Sequence, residues 1–278
     1  MEKFEIEKLK KLALETRKTC IETQYLVKSG HLGGSFSAME IMIYLYFNKM
    51  NVSPESVEDL NRDVFIISKG HASLGYYAVM AKRGYFPEEE LKTYRQINTR
   101  LQGHTHMDAA PGIECSTGSL GQGLSYGLGI ALAKKQKNLG GKVYVLLGDG
   151  EMQEGQIWEA LMLQSKLQLD KLVPIIDDNR LQLDDSVEKI VGRPNYEERL
   201  RAFGNNVIEV DGQEFESIDK GFNSLKQNAS NIIVAHTTKG AGISFMENSV
   251  PWHSKKLSDE EYEIAMKEIK DAEVICHA

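Results

Sequence analysis

Cysteine is scarce in this chain: three in 278 residues, Cys20, Cys115 and Cys276, far apart and without a CxxC pair. Neither a disulfide framework nor a structural zinc site fits that count, and a reducing compartment is expected. No apolar run approaches the roughly eighteen residues that a membrane-spanning helix requires. The N-terminus, Met1-Glu2-Lys3-Phe4-Glu5, lacks the basic-then-apolar layout of a secretory leader. Lys/Arg blocks are missing too, and 33 basic residues against 40 acidic ones leave a formal charge of −7. That balance argues against a nucleic-acid surface. The expectation is a soluble cytoplasmic protein that engages neither membrane nor nucleic acid. Three familiar ligand loops are also missing. An EF-hand starting at Asp149 fails because its obligatory glycine position is Glu154. The Rossmann fingerprint fails because Gly121-Gln122-Gly123 is followed by Leu124, Ser125 and Tyr126. A Walker loop fails at Gly141-Lys142-Val143, which lacks the upstream glycine.

What is present is an ordinary globular composition, 41% hydrophobic and 26% charged, arranged as alternating strands and helices. Ile6, Leu9, Leu12, Ala13, Thr16 and Cys20 mark one face of a first helix ending near Gly30. Ser37 and Glu40 predict a capping box for a second helix through Ile41 to Leu45. A strand is expected over 63–68 and a helix over 72–82. Residues 98–118 read as a loop, and a long loop in a compact domain is usually functional. A helix over 120–137 carries Gly121, Gly123, Gly127 and Gly129, which let another backbone pack close. Then follow strand 142–147, helix 155–168, strand 172–177, helix 195–203, strand 207–210, helix 214–227, strand 232–236 and a charged helix over 258–269. Apolar strands alternating with helices predict an α/β fold, an open and mostly parallel sheet with helices on both faces. Residues 1–278 are expected to form one domain, with the N-terminal helices packed on it and a C-terminal helical tail.

Four constellations carry chemistry. The strand over 142–147 runs into Gly148-Asp149-Gly150, and the one over 172–177 into Asp177-Asp178-Asn179. Two oxygen-bearing side chains thus leave the C-terminal ends of consecutive strands, where open parallel sheets bind ligands. Alone, each half could be a turn; together they suit a hard cation carrying a diphosphate. The histidines are the second set: His31 in Ser-Gly-His, His71 in Lys-Gly-His-Ala, His104 and His106 in Gly-His-Thr-His, and His253 in Pro-Trp-His. A loop histidine is ordinarily surface, and His104-x-His106 offers too few ligands for zinc. Imidazoles around an anionic cofactor explain the set better. Third is the tight turn Cys115 to Gly123, which opens a helix whose N-terminus favours anions, or else packs against a neighbour. The fourth is Thr237 to Asn248 after the last strand, which could equally be a glycine-rich surface loop.

Taken together, these residues resemble the transketolase family of thiamine-diphosphate enzymes over nearly the whole chain. The matches are Ser-Gly-His at 29–31, Lys-Gly-His-Ala at 69–72, Gly-His at 103–104 and Thr-Gly-Ser-Leu-Gly-Gln-Gly at 117–123. Gly-Asp-Gly-Glu-Met-Gln-Glu-Gly at 148–155, Asp-Asp-Asn at 177–179, Ser-Phe-Met-Glu-Asn at 244–248 and Trp-His at 252–253 complete them. The resemblance covers the N-terminal, diphosphate-binding (PP) domain of the thiamine-diphosphate fold. It implies one half of a split transketolase, active only with a separate C-terminal subunit, in an α2β2 heterotetramer acting on sugar phosphates. Such an enzyme of the pentose phosphate pathway and carbohydrate metabolism moves a two-carbon ketol unit from a ketose phosphate to an aldose phosphate.

By the same resemblance Asp149, Asn179 and the Leu181 carbonyl ligate Mg²⁺ or Ca²⁺. His71, His253, Gly118, Leu120, Gly148, Gly150 and Glu151 hold the cofactor. His31, His104 and His253 face the reacting atoms, and Glu154 joins a carboxylate relay at the dimer interface. The sequence departs from the family pattern at Leu32, His106 and Ser254, where proline, an acidic residue and glycine are usual. A transketolase for an unusual branched or deoxy sugar, the alpha chain of a 2-oxo acid dehydrogenase, and a non-catalytic scaffold half remain alternatives. The glycine-bearing helix and the segment Glu154 to Trp158 are the expected partner surface.

Overall fold

The computed structural model describes residues 1–192 and 195–276. Helix α1 (Lys3–Val27) leads to two short helices, α2 (Leu32–Ser37) and α3 (Met39–Tyr44), the second running on into a π-helical turn. Strand β1 (Val64–Ile67) is followed by α4 (Ser73–Arg83) and a long irregular stretch, then α5 (Gln122–Gln136). Next come β2 (Val143–Gly148), α6 (Gly155–Leu167), β3 (Leu172–Asp178), α7 (Val187–Val191) and α8 (Tyr196–Ala202). Strand β4 (Asn206–Asp211), α9 (Phe215–Asn223), β5 (Asn231–His236) and α10 (Asp259–Cys276) complete the order.

Among the described residues the five strands form one sheet in the order β1-β2-β3-β5-β4, with every pairing parallel. Parallel strands need crossover helices, which cover both faces. The alternation along each strand shows this. Phe65, Ile67, Tyr144, Leu146, Val173 and Ile175 enter one core with residues of α1, α3, α4 and α9. Val64, Ile66, Val143, Val145, Leu147 and Ile176 enter a second core with residues of α5, α6 and α8. The edge strand β4 is the exception to uniform burial, with Glu209 and Asp211 exposed. Helix α10 lies along α1, where Tyr25 and Tyr262 stack with ring centroids 4.0 Å apart.

Three expectations are corrected. The first helix stops at Val27, because Lys28 takes a left-handed φ of 51°. Ser37 and Glu40 form no capping box: the N-cap of α3 is Ala38, which offers no side-chain cap. The Ser37 hydroxyl instead donates to the Gly34 carbonyl and the Asp177 carboxylate, and Glu40 pairs with Arg17 at 2.7 Å. Gly123 and Gly127 face the chain's own sheet, since a Cβ on Gly127 would sit 2.5 Å from Val145 Cγ2. Cys20 and Cys115 are buried free thiols; the Cys276 side chain lies outside the described set.

Candidate cofactor and metal site

The parallel pairing of β2 with β3 sets Gly148 opposite Asp177, so the residues just beyond, Asp149 and Asn179, meet at the same sheet edge. Asp149 is 2% exposed, and its oxygens accept from the backbone amides of Gly150 (2.7 Å) and Arg180. Asn179 Oδ1 accepts from Leu181 N at 3.1 Å, while its Nδ2 donates to Asp177 at 2.9 Å. Burial pushes the Asp149 carboxyl up to about 7, with Asp177 and Asp178 adding like charge against the two amide hydrogen bonds. A carboxylate buried beside others, with free lone pairs, is a place where a cation relieves repulsion. Among the described residues no three His, Cys, Asp or Glu side chains are disposed to hold a metal ion by themselves. The oxygen set here is one carboxylate, one amide and one carbonyl, which suits a hard ion rather than zinc.

Next to this edge lies a cavity of about 220 Å³. Nine of the residues the sequence picked out line it: His71, Leu120, Gly148, Asp149, Gly150, Glu151, Asn179, Leu181 and His253. His31 joins them from behind, its ring centroid 5.6 Å from His71 and 5.4 Å from His253. His104 packs on Gly118 (φ +119°), where a Cβ would lie 3.0 Å from the imidazole Cγ. These two stand beside the cavity rather than in its wall. Glu154 is exposed at the start of α6. Glu151 is a bracket: buried, it accepts from Ser68 Oγ and from the amides of Gly121 (2.8 Å) and Gly148 (3.0 Å). His106, one of the departures from the family pattern, is exposed on the long loop.

Sequence reasoning missed the two lysines of the wall. Lys69 and Lys239 are each 1% exposed. Lys69 pairs with Asp177 at the cavity floor. Lys239 Nζ donates to the carbonyls of Leu181 (3.1 Å) and Gln182 (3.0 Å) and sits 3.0 Å from His253 Nδ1. Burial and the neighbouring Lys69 draw Lys239 down to about 8. The imidazoles are neutral. Burial, then Arg95 and other positive neighbours, takes His31 down to about 4. Burial and Lys239 take His253 to about 3, and burial with Lys69 holds His71 well below the usual range. Neutral rings beside ammonium groups offer hydrogen bonds without adding to the desolvated charge. Near the cavity, two buried polar atoms, His31 Nδ1 and Gln182 Nε2, have no hydrogen-bond partner among the described residues. Cationic groups, idle hydrogen-bonding atoms and glycines that leave room for close approach make a cradle for a diphosphate.

A larger cleft, about 870 Å³, shares Asn179 and Leu181 with the cavity. Its wall holds Asp178, Glu188, Glu197 and Glu209 against Arg180 and His236. That excess of carboxylates disfavours a diphosphate, and the smaller, lysine-lined cavity suits an anion better despite its size.

Comparison with known proteins finds relatives along nearly the whole chain. Residues 9–271 match the family described as "Transketolase, thiamine diphosphate binding domain". The chain is 38% identical over 270 residues to one of the subunits of the apulose-4-phosphate transketolase of Phocaeicola vulgatus, covering 96% of each protein. It is 38% identical over 256 residues to a 6-deoxy-6-sulfo-D-fructose transketolase subunit of a Clostridium species, covering 91% of this chain and 93% of that one. Against Homo sapiens transketolase it is also 38% identical, over 265 residues, but spans only 42% of that protein's length. The crystal structure of Campylobacter jejuni transketolase superposes with a TM-score of 0.88 at 28% identity, covering 94% of this chain and 42% of that one.

Proposed function

This chain belongs to the transketolase family, and from that premise we propose that it is the diphosphate-binding subunit of a two-chain, thiamine-diphosphate-dependent transketolase. The observation that carries the proposal is the joining of Asp149, Asn179 and the Leu181 carbonyl to a cavity walled by Lys69, Lys239, His71 and His253. These oxygens would hold Mg²⁺ or Ca²⁺, and the lysines and imidazoles would hold the diphosphate. Bound thiamine diphosphate supplies the electron sink for the two-carbon carbanion that ketol transfer requires. His31 and His104 stand beside the cavity, neutral at physiological pH, where they orient substrate hydroxyls and carry protons. Burial and Arg95 lower the His104 value as they do that of His31.

A separate subunit would complete the site and, as the family resemblance implies, bring a glutamate that activates the cofactor's pyrimidine. Two features support an interface on the α5–α6 side: Glu154 is exposed there, and so are Tyr126 (56%), Met162 (53%) and Leu163 (44%). The expected assembly is α2β2. For the substrate, the relatives matched along nearly their whole length favour the unusual-sugar reading, since they are named for apulose 4-phosphate and a sulfonated fructose. A common pentose phosphate transketolase is the competing form.

Reconstitution tests both. The chain is mixed with its partner, Mg²⁺ and thiamine diphosphate, and assayed on a pentulose phosphate, a branched-chain sugar phosphate and a sulfonated ketose. Ketol transfer is expected only when all components are present, and the fastest donor identifies the physiological class. Substantial turnover by the chain alone would overturn the two-chain proposal.

A further inference from the structure

A side-chain amide can face a cation with its oxygen or, uselessly, with its NH₂ group. Asn179 therefore needs a partner that decides which end points where. Its Nδ2 donates at 2.9 Å to Asp177 Oδ2, and Asp177 is fully buried in β3 between Gly148 of β2 and Ala235 of β5. A carboxylate accepts and never donates, so only the NH₂ end of the amide can settle against it. Asn179 Oδ1 is turned to the other side, where Leu181 N takes one lone pair and the second is left free.

Asp177 is itself held from three directions. Lys69 Nζ and Ser37 Oγ (2.6 Å) donate to its Oδ2, and Thr237 Oγ1 donates to its Oδ1. These donors come from the end of β1, the end of α2 and the end of β5. Three elements thus converge on one carboxylate of β3 that is not itself among the oxygens assigned to the ion. A fully buried ion pair is a poor source of stability, because desolvating both charges offsets their attraction. What this pair does provide is a fixed acceptor next to Asn179.

We propose that the Lys69–Asp177 pair is the positioning device of the metal site, locking Asn179 with Oδ1 toward the cation. The proposal rests on the metal reading given above. It is tested by Mn²⁺ alone, titrated into the full chain and followed by electron paramagnetic resonance, for Asp177→Asn and for the double variant Lys69→Met/Asp177→Leu. The double variant removes one positive and one negative charge, so the net charge that Mn²⁺ meets is unchanged. It also leaves no orphaned charge to unfold the chain. Whichever of the two variants keeps the wild-type circular dichroism carries the test. Loss of an outer-shell partner lowers metal affinity by about 10- to 100-fold, and a loss of that size is expected. A purely structural pair would shift the melting temperature and leave affinity in the folded protein at the wild-type value, and that result overturns the inference. Asp149→Ala is the control. Binding abolished there but retained in the pair variants sinks the positioning role alone, whereas undiminished binding in Asp149→Ala removes the metal site and this inference with it.

Discussion

His236 closes the far end of the sheet edge between two carboxylates. Its Nδ1 lies 3.0 Å from Asp178 and its Nε2 lies 2.9 Å from Glu209. Both ring nitrogens must donate in that position, so the imidazolium is the form the fold selects. The Asp178 hydrogen bond, outweighing burial and helped by Glu209, raises its value from 6.5 to about 9. A folded-state value above the unfolded one contributes stability that is complete below pH 6.5 and fades as pH rises through about 9. The ring is partly exposed, so screening keeps the contribution to about 1 kcal/mol or less. Thermal melts of wild type and His236→Gln should therefore differ most below pH 6.5 and converge above pH 9; a gap independent of pH would refute the clamp. At this scale the site was only partly legible. Asp149 and Asn179 could be read because strand ends announce their position. Lys69 and Lys239 escaped because a lysine is expected at the surface, although each directly follows a strand or its first turn. Asp177 escaped because its partners Ser37, Lys69 and Thr237 are distant in sequence.

Helix α5 shows what its glycines are for. A Cβ on Gly123 would lie 2.5 Å from Ser68 Oγ, and one on Gly127 2.5 Å from Val145 Cγ2, whereas Gly129 looks onto open space. The helix thus lies directly on β2, and that contact sets the height of the turn carrying Gly118 and Leu120 beside the cavity. Gly127→Val should destabilise by about 1–3 kcal/mol through overpacking, read as a lower thermal midpoint, while Gly129→Ala should not. Equal melting of the two variants would mean that the sheet yields. The central strands β2 and β3 were easy to read because burial on both faces leaves them mostly apolar, and both end within one residue of expectation. The break between α2 and α3 was not readable, since the hydroxyl and carboxylate that mimic a capping box are claimed by Asp177 and Arg17. Helix α7, five residues long, is too short to show a period.

For the molecule as a whole, the exposed apolar side chains of α5 and α6 are the partner surface proposed above. Tyr126, Met162 and Leu163 flank the same helix pair that presents Glu154. Met162→Glu should weaken assembly with the partner chain, seen as a shift to smaller species in sedimentation velocity, without lowering the melting temperature of the isolated chain. An unchanged sedimentation profile would place the interface elsewhere. The Glu151 bracket carries a consequence for how the chain reaches its structure. It joins Ser68, Gly121 and Gly148, and its contact with Ser68 spans 83 positions. Such a junction cannot close until β1 has paired with β2, and contacts of that sequence separation form late. The cradle is therefore a product of the finished sheet and cannot serve as a template for building it. A ligand that binds there holds the native state by mass action, retarding unfolding and leaving the rate of folding to the chain.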